Sequence, residues 1–181
     1  MILTIDLSHN RLEGARAGHA IAKILSRRMI VHGGEDLREI NLFNNRLGDS
    51  GFSAINNELL HPESFIETLN IGQNHIEEIR INLPLDFSSN RIYSVTNLVL
   101  DGNEFKAWHI RRLAILLAHA TPLSNLSMKN CKLQDHGLVT TFEELEGLRR
   151  LKTIDYSGNN IFNSGLIGIA PFIGSHPKSL I

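Results

Sequence analysis

The amino-acid sequence predicts an α/β solenoid of six repeats, with parallel strands along a concave face and mostly helices along a convex one, in a single domain over residues 1–181. Three observations lead there. A spaced pattern of apolar residues closing on an asparagine occurs six times, starting near residues 2, 37, 66, 95, 123 and 151. The copies follow one another at a nearly constant interval. The stretches between them carry the spacing of amphipathic helices.

The first copy reads Ile2-x-x-Ile5-x-Leu7-x-x-Asn10-x-Leu12, the second Leu37-x-x-Ile40-x-Leu42-x-x-Asn45-x-Leu47, and the third Ile66-x-x-Leu69-x-Ile71-x-x-Asn74-x-Ile76. Next come Val95-x-x-Leu98-x-Leu100-x-x-Asn103-x-Phe105, Leu123-x-x-Leu126-x-Met128-x-x-Cys131-x-Leu133 and Leu151-x-x-Ile154-x-Tyr156-x-x-Asn159-x-Ile161. Alternation such as Ile5-x-Leu7 puts the apolar side chains on one face of a short strand and the x residues on the other. The asparagine falls just past the strand, where the chain turns away. Its amide suits turn backbone groups that no strand ladder reaches. Stacking then predicts a polar ladder inside an apolar interior, with Cys131 in one slot.

From Asn10 to Asn45 is 35 residues, and the next intervals, through Asn74, Asn103, Cys131 and Asn159, are 29, 29, 28 and 28. Such a period leaves room for a helix on the return path. Three return paths open alike, as Leu47-Gly-Asp49-Ser-Gly51, Leu133-Gln-Asp135-His-Gly137 and Ile161-Phe-Asn163-Ser-Gly165. The Asp or Asn reads as the N-cap of its own helix, and the glycine as a point of close packing. Inward stripes follow at Phe52, Ile55 and Leu59, at Ile110, Leu113, Ala114 and Leu117 within 106–119, and at Leu138, Phe142 and Leu145.

The frame, its period and the D-x-G openings together resemble the leucine-rich repeat. They are most similar to its ribonuclease-inhibitor-like subclass, which occurs in intracellular immune sensors, some bacterial effectors and a GTPase activator for Ran. The resemblance covers almost the whole chain and implies a protein that works by presenting a surface. The family pattern admits cysteine at the ladder position, which implies that Cys131 is a buried structural thiol.

Two places are irregular. The first repeat carries about seven extra residues, placed in Arg27–Asp36, where Gly33-Gly34 marks a loop. They make either a longer helix with a looser turn or a protruding basic contact loop. Within Glu77–Ser94, Leu85-x-Phe87-x-x-Asn90-x-Ile92 imitates the frame but stands only 13 residues before Asn103. That is too short for a strand, a return path and two turns. The segment therefore belongs to the outer face of one repeat, with Pro84 disfavouring a continuous helix.

The x residues predict the concave face, and with it the candidate partner-binding residues. One row is Thr4, Glu39, Thr68, Asn97, Asn125 and Thr153; the next is Asp6, Asn41, Asn70, Val99, Ser127 and Asp155; the third is Ser8, Phe43, Gly72, Asp101, Lys129 and Ser157. The face is small and polar, with scattered acids and one basic residue. Phe43 is either an interface anchor or an isolated surface apolar residue. On the outer side, Trp108, Arg112 and Ile115 share one helix face, and Trp108 either seals a helix–helix contact or marks a convex site.

Other chemistries find little support. Nine histidines, His9, His19, His32, His61, His75, His109, His119, His136 and His176, show no metal-ligand spacing with one another or with Cys131, and read as surface residues. Asp101-Gly-Asn103 matches part of a calcium loop without its other ligands. No Gly-rich phosphate loop precedes a helix, no triad is placed, and Asp6 and Asp155 sit too many strands apart to pair. No metal, cofactor or enzymatic activity is expected. A formal charge of -1, from 18 basic and 19 acidic residues, argues against a nucleic-acid partner. No stretch suits a membrane span or a signal peptide. A lone cysteine fits a reducing, cytoplasmic compartment, while export into a host cell by a signal not legible here stays open.

The first frame begins at Ile2 without a preceding cap, so the chain is either part of a longer one or presents an open edge capable of weak self-association. A short last helix is expected over Gly165–Ser175, stopped at or soon after Pro171. The reading is a non-catalytic module binding a protein partner through its concave face, either as an immune-sensor-like protein or as a bacterial effector inside a host cell. The alternative is a GTPase-activating protein resembling the Ran activator.

Overall fold

A computed structural model describes residues 3–32, 37–59, 64–79, 94–105, 109–113, 122–145 and 150–175. In chain order the elements are β1 (Thr4–Asp6), α1 (Gly14–His32), β2 (Glu39–Asn41), α2 (Gly48–Leu59), β3 (Thr68–Asn70), β4 (Asn97–Val99), β5 (Asn125–Ser127), α3 (Gln134–Leu145), β6 (Thr153–Asp155) and α4 (Asn163–Ser175). Residues 109–113 are helical as well. The strands form one parallel six-stranded sheet in the order β1-β2-β3-β4-β5-β6.

The frame sets the register. Ile5 aligns with Ile40, Ile40 with Leu69, Leu69 with Leu98, Leu98 with Leu126 and Leu126 with Ile154. In the four inner repeats these residues and their partners two positions on, Leu42, Ile71, Leu100 and Met128, are at most 2% exposed. Burying one such side chain stabilises by roughly 1.5–3 kcal/mol. In the outer two repeats Ile5, Leu7, Ile154 and Tyr156 are partly buried. β3 pairs directly with β4, so no strand stands between them. The Leu85–Phe87 imitation lies outside the described residues, as does Pro84.

The asparagines line up in the interior and stitch each repeat to the one before. Asn74 Nδ2 donates to Ile71 O of its own strand end at 3.1 Å and to Leu42 O of the preceding repeat at 2.8 Å. Its Oδ1 accepts from Leu47 N at 3.3 Å. Asn45 does the same with Leu42 O, Leu7 O and Leu12 N, Asn103 with Leu100 O, Ile71 O and Ile76 N, and Asn159 with Tyr156 O, Met128 O and Leu133 N. Asn45, Asn74, Asn103 and Asn159 are buried, and these bonds replace the water that their amides lose. Asn10, exposed at the first repeat, donates to Leu7 O and Ser8 O of its own strand end. Cys131 is buried, its Sγ 3.4 Å from both Leu100 O and Lys129 O. Burial pushes its thiol up to about 12, and backbone contacts from Asn103 and Gly102 offset only part of that.

The residue before each ladder position, His9, Asn44, Gln73, Gly102, Asn130 or Gly158, has φ between 51° and 74°. This left-handed residue turns the chain out of the strand. Glycine and asparagine tolerate that conformation and fill four of the six places.

The return helices answer the expectations in three respects. First, Asp49 and Asp135 do not cap their own helices, which begin one residue earlier at Gly48 and Gln134. Asp49 Oδ1 accepts from Glu77 N and Glu78 N, and Asp135 Oδ1 from Phe162 N at 2.7 Å, each one repeat ahead. Stacking brings the following repeat's unpaired turn N–H groups within reach of these carboxylates. Second, of the two readings of the extra first-repeat residues the longer helix is the one seen: α1 runs on to His32, and residues 33–36 lie outside the described set. Third, α4 begins at Asn163, two residues before the expected Gly165, and runs to the expected Ser175 with Pro171 inside it. Pro171 is exposed, so the Ile167 carbonyl it leaves without an intrahelical donor lies on the watered side. The inward stripes are otherwise as read: Phe52, Ile55, Leu59, Ile110, Leu113, Leu138 and Leu145 are buried, and Phe142 is half-buried. Ala114, Leu117, Trp108 and Ile115 lie outside the described residues or have no described side chain, and Arg112 is exposed.

Glycine accounts for the close stacking of α1 on α2. A methyl group on Gly18 would stand 2.3 Å from the carbonyl oxygen of Gly51, and one on Gly51 would stand 2.8 Å from that of Gly14.

Candidate partner-binding face

Strand register makes continuous rows of the x residues. Thr4, Glu39, Thr68, Asn97, Asn125 and Thr153 align strand to strand, and so do Asp6, Asn41, Asn70, Val99, Ser127 and Asp155. All of these are half-buried or exposed, while their chain neighbours Ile40, Leu69, Leu98 and Leu126 are buried. The third row falls just past the strands, in the turn.

Much of this polar surface is already bonded to itself. Along the first row, Thr153 Oγ1 donates to Asn125 Oδ1 at 2.5 Å, Asn125 Nδ2 donates to Asn97 Oδ1, and Asn97 Nδ2 donates to Thr68 Oγ1 at 3.2 Å. In the second row Asp6, Asn41, Asn70 and Asp155 each accept the backbone N–H two residues on, from Ser8, Phe43, Gly72 and Ser157. These short side-chain turns end the strands. The Ser8 hydroxyl and N–H hold the Asp6 carboxyl below its ordinary pKa, and those of Ser157 act likewise on Asp155, helped by Lys129.

Lys129 Nζ lies 3.1 Å from Asp155 Oδ2. Hydrogen bonding to Asp155, then the charges of Asp155 and Asp101, raise the pKa of the ammonium. Asp101 Oδ1 accepts from Ser127 Oγ at 2.6 Å and from Lys129 N at 2.9 Å. A hollow of about 460 Å³ opens over β4–β6, walled by the Asn97–Asn125–Thr153 row on one side and Asp101, Lys129 and Asp155 on the other, with Val99 and Ser127 between.

Phe43 is half-buried, not fully exposed as its solitary apolar character suggested. Its ring spreads over Gly72, which is therefore buried rather than part of the exposed third row as predicted; a methyl group there would meet Phe43 Cδ2 at 2.9 Å, and the ring meets the His9 ring edge-on at 5.4 Å. The same arrangement recurs one position on: Gln73 covers Gly102 and Asn130 covers Gly158. The left-handed residues His9, Asn44, Gln73 and Asn130 are all exposed and extend the face beyond the three predicted rows. The recurrent Asn or Gly before the ladder position is the signal in the sequence that marks them.

Among the histidines with described side chains, His9, His19, His75 and His136 are exposed, but His109 is fully buried, which corrects its reading as a surface residue. It sits beside Ile110 on the inward side, with Nε2 3.6 Å from Glu78 Oε1. His32, His61, His119 and His176 lie outside the described side chains. Asp6 and Asp155 are at opposite edges of the sheet. No helix among the described residues is long and apolar enough to cross a membrane.

Comparison with known proteins agrees with this architecture. Residues 35–55 match a family model described as a leucine-rich repeat. The chain is 25% identical over 183 residues to the human NACHT, LRR and PYD domains-containing protein 14, which covers 98% of this chain. The chain spans only 16% of that protein's length. Six in-register strands, a stacked asparagine ladder and these matches together give the chain the fold of a leucine-rich-repeat solenoid.

Proposed function

We propose that this chain is a non-catalytic interaction module that binds a protein partner through the concave face of its sheet. Leucine-rich repeats as a class are protein-binding modules, and the observation that carries this reading is the division of labour within each strand. The frame residues supply the interior, while the x residues form an uninterrupted in-register surface that no return helix covers among the described residues. The 28- and 29-residue intervals and the helical returns support placing the chain in the ribonuclease-inhibitor-like subclass. A single buried cysteine suits work in a reducing compartment. The same face would serve a receptor's repeat segment or an effector acting in a host cell.

A photo-crosslinking residue tests the assignment of the face. Placed at Asn70 or Ser127, it is expected to form adducts with a partner in cell lysate, whereas at Arg111 on the helical side it forms none. Adducts from Arg111 alone would move the binding face to the convex side.

A further inference from the structure

We propose that the strip of the concave face between Phe43 and Asp101 seats an arginine side chain of the partner; the inference rests on the concave-face reading. Gly72 creates the seat. A methyl group there would stand 2.9 Å from Phe43 Cδ2 and 3.0 Å from the Asp101 carbonyl oxygen, so only glycine lets the ring lie across β3 toward β4. The third row thereby sets the Phe43 ring, lying over the buried Gly72, beside Asp101 on the next strand, whose carboxylate turns toward Ser127 and Lys129. His9 supports the ring from behind, edge-on at 5.4 Å. The carboxylate is held by two donors on a single oxygen, Ser127 Oγ at 2.6 Å and Lys129 N at 2.9 Å, both on Oδ1.

The charges favour a cation. Across the three rows stand Asp6, Glu39, Asp101 and Asp155 against one base, Lys129, whose ammonium is engaged with Asp155 at 3.1 Å. An anionic partner group at the seat would meet the Asp101 carboxylate on a face where acids outnumber bases four to one. A purely apolar one would bury the Asp101 carboxylate without a counter-charge. A guanidinium answers both surfaces, because it stacks flat on an aromatic ring and gives parallel N–H donors to a carboxylate. An ammonium offers a point charge and no plane, so lysine fits less well.

The test uses the whole chain, isotope-labelled for amide NMR, with the pentapeptides Gly-Gly-Arg-Gly-Gly, Gly-Gly-Lys-Gly-Gly and Gly-Gly-Glu-Gly-Gly as probes. The arginine peptide is expected to shift the Gly72 and Lys129 amides saturably, the lysine peptide to bind more weakly, and the glutamate peptide to leave them unmoved. Phe43→Leu keeps apolar volume without a ring and is expected to weaken arginine binding about threefold. Asp101→Asn keeps the Oδ1 acceptor without the charge and is expected to weaken it about tenfold. Unchanged dispersion of the remaining amides shows that each variant is folded. No saturable shift at Gly72 and Lys129, equal binding of the glutamate peptide, or wild-type affinity in both variants would overturn the arginine seat. Crosslinks from Asn70 and Ser127 would survive that result, whereas loss of those crosslinks bears on the concave face as a whole.

Discussion

Asp135 and Gly165 meet across the boundary between the fifth and sixth repeats: a methyl group on Gly165 would stand 2.6 Å from Asp135 Oδ1. The carboxylate also accepts from Phe162 N at 2.7 Å and from the Ser164 hydroxyl. Asp49 makes the corresponding tie to Glu77 N and Glu78 N. Each D-x-G opening thus serves two neighbours. Its aspartate reaches forward to the next repeat, and the glycine of that repeat, where present, makes room for it.

Gly165→Ala is therefore expected to destabilise the chain by roughly 1–3 kcal/mol, as overpacking does, even though alanine is the better helix former. Urea denaturation measures this. A neutral or stabilising result would show that Asp135 moves aside without loss.

Acid stability should depend on the same aspartate. The Ser164 hydroxyl, then the Phe162 N–H, hold its carboxyl below the ordinary value. The unfolded chain takes up a proton first, near pH 4. The contribution is whole above that pH and is lost as the pH falls through the lower folded pKa. Asp135→Asn should flatten that part of the melting-temperature profile, and an unchanged acid limb would refute the assignment.

The asparagine ladder should be graded by burial. Asn74→Ala strands Leu47 N in the interior, leaves Leu42 O with Asn45 alone and Ile71 O with Asn103 alone, and is expected to cost roughly 1–3 kcal/mol. Asn10→Ala, at an exposed position, should cost less than about 1 kcal/mol. Equal losses in chemical denaturation would contradict a ladder that works by satisfying buried backbone.

Cys131 should resist thiol reagents in the folded chain at pH 8 and react once urea unfolds it, since burial holds its pKa up at about 12. The unfolded thiol ionises from about pH 8.5, so this group's contribution to stability declines as the pH rises from there toward 12. Rapid labelling under native conditions would place the sulfur at the surface.

His109 supplies a second acid-sensitive point. Burial lowers its pKa, Glu78 opposes that shift, and Arg112 adds to it. The unfolded histidine protonates first, near pH 6.5, so stability is fully present above that pH and falls as the pH drops toward the folded value. His109→Gln should remove this slope from the melting profile, and a wild-type slope in the variant would assign it elsewhere.

The repeat frame was legible in the residues because it is local. Alternation within three residues, such as Ile40 flanked by Glu39 and Asn41, fixes which side chains face inward, and a constant interval brings equivalent positions side by side. Register, interior and the rows of the open face follow from that pattern. What a side chain does across a repeat boundary is not a local property. Sequence spacing assigned Asp49 and Asp135 to their own helices, and it could not show that stacking offers them better donors some 28 residues on. Nor could it show that the face is partly spent on itself, through Asp6 on Ser8, Asn125 on Asn97 and Phe43 over Gly72. His109 looked like any other polar residue until packing closed around it. Periodicity carries the direction of each side chain, whereas partners, contacts and burial arise only when distant copies of the pattern are brought within hydrogen-bonding distance.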